Sequence, residues 1–247
     1  MNKIFCYELR MIVCSKFYWG FAAISLCLGW QILSTGTVQG VGHTAPFSPW
    51  SFGSYLAQML PLLSVALFFL LWSFFSGKAR RVETLTAATP IPPARHLAIK
   101  CAAAATAWLV LAFCTVLLGI VFLLVLFGAS VPVTALLAPT LMVLLPVPVF
   151  LLGLGLLLGS IRPALLLFVL IPLFLLLYLL PLPAAVDLLG AEFFTAYPLS
   201  LSTLDPGFSV PGSVIMGKLT YTLLGGVLLL YTFLYKKGRR MKSELMK

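Results

Sequence analysis

Of the side chains suited to ligating metals or working as acid–base pairs, this 247-residue chain carries few: two histidines, five cysteines and six acidic residues. Hydrolysis needs a paired carboxylate, a histidine cluster or a serine or cysteine beside its base. Neither H-E-x-x-H nor G-x-S-x-G occurs, and His43 and His96 are 53 positions apart in different surroundings. Cys6, Cys14, Cys27, Cys101 and Cys114 are scattered without a C-x-x-C pair, and read as small, reduced, apolar residues. One near-match to a phosphate-binding loop exists, "GSVIMGKLT" at 212–220. It fails at Leu219, where a Ser or Thr would hold magnesium, and no strand or soluble nucleotide domain precedes it. The residues therefore predict no catalytic centre, no metal site and no cofactor bound by this chain.

The elements around these residues explain why. Hydrophobic residues make up 62% of the chain and charged residues 9%, against about 25% charged in ordinary soluble proteins. Apolar runs of roughly 20 residues match the 30 Å of hydrocarbon that a helix must cross. Six such runs are legible, at about 17–34, 55–75, 101–127, 134–159, 163–183 and 213–235, predicting an all-α, polytopic membrane protein with a single transmembrane domain. Fifteen of the sixteen Lys and Arg fall in segments that an alternating six-span path places on one side: the N-terminal stretch, 76–100, Arg162 and the tail 236–247. The other side keeps Lys218 alone, with Asp187, Glu192 and Asp205. That bias predicts both termini in the cytoplasm of a multi-pass plasma-membrane protein. The net charge of +10 sits beside apolar runs, which fits lipid headgroups and excludes nucleic acid as the partner.

Residues 2–16 carry Phe5, Leu9, Ile12 and Val13 at helical spacing, with Lys3 and Arg10 elsewhere on the wheel. They predict an amphipathic helix along the inner membrane surface, or else a short cytosolic extension of the first span. The Gly- and Pro-rich stretch after the first span reads as loop. The connection 184–212, mildly apolar and aromatic, predicts short helices at the outer surface. Within the spans no ionisable residue lies well inside an apolar run, and 101–161 has no charge at all, which argues against a proton relay. The irregularities are instead of backbone: Pro61, Pro139, Pro146, Pro148 and Pro172 predict kinks. Gly155 and Gly159, with the "AAAATA" opening the third run, predict close helix packing. Such a set serves either static packing or a bundle that changes shape.

The basic, proline-rich island 77–100 stands out between two uncharged runs. Helix potential over 82–88 is stopped by Pro90, Pro92 and Pro93, and a second short helix, "ARHLAIK", leads into the third span. On residues alone this is either a solvated positive loop or a projection that receives force. The order R-x-E-T-L-x-A-A-T-P-x-P-x-x-R-x-x-x-x-K, with Arg81, Glu83, Thr84, Leu85, Ala88, Thr89, Pro90, Arg95 and Lys100, resembles the cytoplasmic loop of permease subunits of the type-2 ABC exporter family. The resemblance extends over nearly the whole chain: N-terminal surface helix, six spans, both termini inside, and a long outer connection containing "AYPLS". It departs at the doubled proline Pro92–Pro93, where the family pattern has one proline followed by a small or polar residue.

The resemblance implies two six-span halves, identical or related, each resting on a subunit of a cytosolic ATPase dimer that holds ATP and magnesium. The 83–90 element would sit in a groove of that ATPase, with the N-terminal helix beside it. Apolar walls between the halves favour an amphipathic or hydrophobic cargo such as a lipid, a drug or a membrane-active peptide. Two other classes fit the composition: a non-transporting membrane scaffold or assembly protein, and an ion-coupled secondary transporter.

Overall fold

A bilayer offers backbone amides no water, so a spanning segment must satisfy its own hydrogen bonds, and helix is the state that does so within one segment. The computed structural model describes residues 2–75, 93–180, 182–184, 186–201, 203 and 205–245, and among these there is helix but no strand. In chain order the α-helices are α1 (Asn2–Val13), α2 (Lys16–Thr35), α3 (Pro49–Phe75), α4 (Pro93–Phe127), α5 (Leu137–Leu144), α6 (Pro146–Ile161), α7 (Pro163–Leu179), α8 (Ala191–Ser200) and α9 (Gly212–Leu245). Among the described residues five stretches are long and apolar enough to cross a membrane: Lys16–Gln39, Pro49–Phe75, Arg95–Ser130, Leu137–Ile161 and Gly212–Leu234. The protein is thus helical and membrane-like, with α7 a shorter apolar helix of 17 residues.

Boundaries move from the sequence reading for identifiable reasons. Helix α3 begins six residues before the expected 55, because Ser48 accepts from the Ser51 amide and Pro49 takes the first helical position. Helix α4 likewise starts at Pro93, so "ARHLAIK" is its first two turns rather than a separate short helix. The expected single run 134–159 is divided at Leu145. Leu145 keeps helical angles, and its amide still bonds the Leu141 carbonyl at 3.1 Å. Pro146 and Pro148 have no amide to continue the ladder. Arg162 and Leu180 are extended because each precedes a proline, which ends α6 and α7. At the C-terminus the expected basic tail 236–247 continues as helix to Leu245.

Helix α3 is the axis of the bundle. Trp50, Phe52, Tyr55, Leu56, Met59, Leu60, Leu63 and Leu67 are fully buried, and α3 touches every other helix except α1 and α9 to a substantial extent. Three buried polar tips fasten its surroundings. Trp108 donates to the Leu63 carbonyl, Tyr55 to that of Thr115 and Tyr18 to that of Ala107, each at 2.9 Å. Ala103, Ala104 and Ala107 are buried, giving α4 the small face that its sequence promises. The outward faces stay apolar, with Val125, Phe168, Leu179 and Leu223 largely exposed. Those are surfaces for acyl chains rather than water.

Candidate functional site

Two places gather polar chemistry onto this apolar frame: the root of α4 and the end where the interhelical connections meet.

At the root, α1 packs along α4. Ile12 is buried, and Phe5, Leu9 and Val13 pack on the core, so the apolar face of α1 rests on protein. A second strip, Tyr7 and Met11, points outward beside exposed Arg10. The sequence reading missed Glu8, which lies between the inward residues. It is 7% exposed, and its Oε2 has no hydrogen-bond partner. Ser15 caps α2 through the Tyr18 amide at 3.2 Å, which sets the bend between α1 and α2. Arg95 is exposed and Lys100 half-buried on the opening turns of α4, where Leu97, Ile99 and Cys101 face inward. Arg81, Glu83, Thr84, Leu85, Ala88, Thr89 and Pro90 lie outside the described residues.

At the other end the described residues of the connection between α7 and α9 pack against the starts of α3 and α9, held by groups far apart in sequence. Lys218, in the second turn of α9, donates to the carbonyls of Asp187 at 2.9 Å and Leu188 at 2.7 Å. The Asp187 carboxylate accepts from the amides of Gly190 at 2.9 Å and Glu192 at 3.1 Å, satisfying donors at the start of α8. Gly190 sits at φ +83°, a left-handed turn suited to glycine. Tyr221 donates to the Val186 carbonyl at 2.8 Å. Asp205 ties in the loop after α2, accepting from the Ala45 amide and donating its own amide to the His43 carbonyl, both at 3.0 Å.

Beneath these bonds Trp50 anchors an aromatic cluster. Its indole donates to the Pro206 carbonyl at 2.9 Å, and its ring lies 4.8–6.3 Å from Phe208, Phe193, Tyr197 and Phe194. Among its described residues the 184–212 connection holds one short α-helix, α8; its burial of Phe193 and Phe194 against α3 was not legible from composition. The phosphate-loop lookalike 212–220 is the helical start of α9, with the Lys218 amine committed to two carbonyls and Thr220 to the Met216 carbonyl. Among the described residues no three His, Cys, Asp or Glu side chains gather into a metal-binding group.

The irregular backbone positions have distinct fates. Pro61 lies within unbroken α3 and Pro172 within α7; Pro146 and Pro148 are buried at the α5–α6 break. Gly155 is buried, and Gly159 faces the Phe75 ring. Two helix backbones meet directly elsewhere, between α6 and α9, where Gly153 faces Gly225. That crossing is the most extensive helix pairing in the protein. Comparison with family models, curated proteins and solved structures finds no match to the chain.

Proposed function

We propose that the chain is the membrane-spanning permease subunit of an ATP-driven ABC exporter in the plasma membrane. In this reading α7 is a sixth pass, and both termini and the island 77–100 are cytoplasmic. The observation that carries it is the unbroken run of α4 from Pro93 to Phe127. Arg95 and Lys100, the last two positions of the family-like motif, stand on the root of a span with no joint between them and the membrane core. A push on that root is transmitted along a rigid rod of about 50 Å at 1.5 Å per residue. Helix α1, packed along α4, braces it.

Coupling would run through Arg81, Glu83, Thr84, Leu85, Ala88, Thr89 and Pro90 to a cytosolic ATPase dimer, which holds the nucleotide and magnesium. A second permease, identical or related, completes the path. The cargo is amphipathic or hydrophobic, since the walls available are apolar. The test is co-purification with the candidate ATPase and its hydrolysis rate, comparing wild type with Arg81→Glu/Pro90→Ala. Loss of stimulated hydrolysis with the bundle intact supports coupling through the island. Unchanged co-purification and hydrolysis would instead indicate a non-transporting scaffold. Transport driven by an ion gradient without the ATPase would indicate a secondary carrier.

A further inference from the structure

Beside the Asp187 clamp lies an open cleft of about 470 Å³, lined by Leu182, Pro183, Ala184, Glu192, Ala196 and Tyr197. Its size falls within the range of small-molecule sites, which are mostly apolar with a few placed polar groups. One wall is the 182–184 stretch. The other is one face of α8, where Glu192 and Ala196 are four residues apart and Tyr197 adjoins them.

Both sides of the α8 wall are fixed. The Glu192 amide is bonded to Asp187, and the Tyr197 ring stacks on Phe193 at 5.3 Å and abuts Trp50 at 5.7 Å. The other charges at this end are spent internally: Lys218 on two carbonyls, Asp187 on two amides, Asp205 on the Ala45 amide. The Glu192 carboxylate is exposed and has no hydrogen-bond or ion-pair partner among the described residues. A mostly apolar cleft thus carries one negative charge uncommitted among the described residues, beside the Tyr197 side chain.

We infer that this cleft binds a monocationic single-chain amphiphile, its ammonium head between the Glu192 carboxylate and the Tyr197 ring and its chain along Leu182, Pro183, Ala184 and Ala196. Opposite charge orients the head, the ring quadrupole attracts an alkylammonium, and the apolar lining takes the tail. The site does not depend on what drives the chain, because binding is an equilibrium property of this chain alone.

The test is binding of tritiated octyltrimethylammonium to the full chain in nanodiscs of zwitterionic lipid, with empty nanodiscs as baseline and no ATPase or nucleotide. Saturable binding near one per chain is expected, displaced by unlabelled octyltrimethylammonium and not by octyl sulfate. Glu192→Gln, at an exposed position whose amide bond to Asp187 is kept, should weaken binding at least tenfold. Ala196→Trp should abolish it by filling the cleft while the carboxylate remains. Equal displacement by octyl sulfate would mean an acyl-chain groove with no charge preference and would overturn the inference. So would an absence of saturable binding, or an unchanged affinity in Glu192→Gln.

Discussion

The crossing of α6 on α9 offers a sharp test of the packing, because two adjacent glycines in α9 face different surroundings. A Cβ built on Gly225 would lie 2.5 Å from the Val149 carbonyl oxygen, 2.6 Å from its carbon and 2.7 Å from the Phe150 Cα. These neighbours are backbone and have no rotamer by which to retreat. On Gly153 a Cβ would lie 3.1 Å from the Gly225 carbonyl carbon and Cα, and nearer still to the oxygen. Gly226, one position along, has nothing within 4 Å. To bring a 2.5 Å contact to an ordinary 3.4 Å, the helices must part by roughly 1 Å, a gap that forfeits about a quarter to a half of each dispersion well at the crossing. Overpacking of this kind costs about 1–3 kcal/mol. Gly225→Ala should therefore destabilise by about 2 kcal/mol. Gly226→Ala should be neutral, or favourable by about 0.5–1 kcal/mol through helix propensity. The double variant Gly153→Ala/Gly225→Ala should cost less than the sum, since one separation relieves both clashes. Equilibrium unfolding in mixed micelles of graded denaturing detergent reads wild type, the three single variants including Gly153→Ala, and the double variant. Equal stabilities for the 225 and 226 variants would refute the crossing.

Further outcomes follow from the two polar sites. Lys218→Met strands two buried carbonyls, a loss of about 1–3 kcal/mol each, and should raise the rate of chymotrypsin cleavage at Phe193, Phe194 or Tyr197; an unchanged rate would show that the clamp does not hold α8. Trp50→Phe keeps a ring but leaves the Pro206 carbonyl without its indole donor, so it should cost about 1 kcal/mol, against about 3–5 kcal/mol for Trp50→Ala, both read by the same unfolding curves. Glu8→Met replaces a buried carboxylate whose Oε2 is unpartnered by an apolar side chain of similar length. It should raise stability by about 1–3 kcal/mol, and a loss would show that this carboxylate has a partner in the working protein.

The helical class and most of the helices were legible because a bilayer reduces the problem to apolar run length. Where the reading slipped, local chemistry outranked hydropathy. Ser48 and Pro49 start α3 in residues too polar for a hydropathy window, and the paired prolines at 146 and 148 break a run whose composition is uniform. Glycine spacing revealed only part of the close packing. The G-x-x-x-G at 155 and 159 is legible locally, and its Gly159 packs closely on the Phe75 ring, whereas the backbone-to-backbone contact pairs Gly153 with Gly225 across 72 positions, which no local motif encodes.

The polar sites were opaque for the same reason of distance, and one of them changes how the charges are counted. Lys218 is the single basic residue on its side of the expected topology, a blemish in an otherwise complete asymmetry. Its amine is 6% exposed as a residue and bonded to two carbonyls thirty and thirty-one positions away. It therefore contributes little field to its surroundings, and acts as a structural donor tying the connection to α9. With Lys218 withdrawn, the solvent-facing charge at that end is acidic, from Glu192 and Asp205, with the Asp205 carboxylate already accepting from Ala45. The same bonds that remove Lys218 from the topological count thus leave Glu192 as the charge available to a ligand. A Lys218→Met variant that frees α8 should disorder the cleft wall and weaken octyltrimethylammonium binding without touching any residue that lines it.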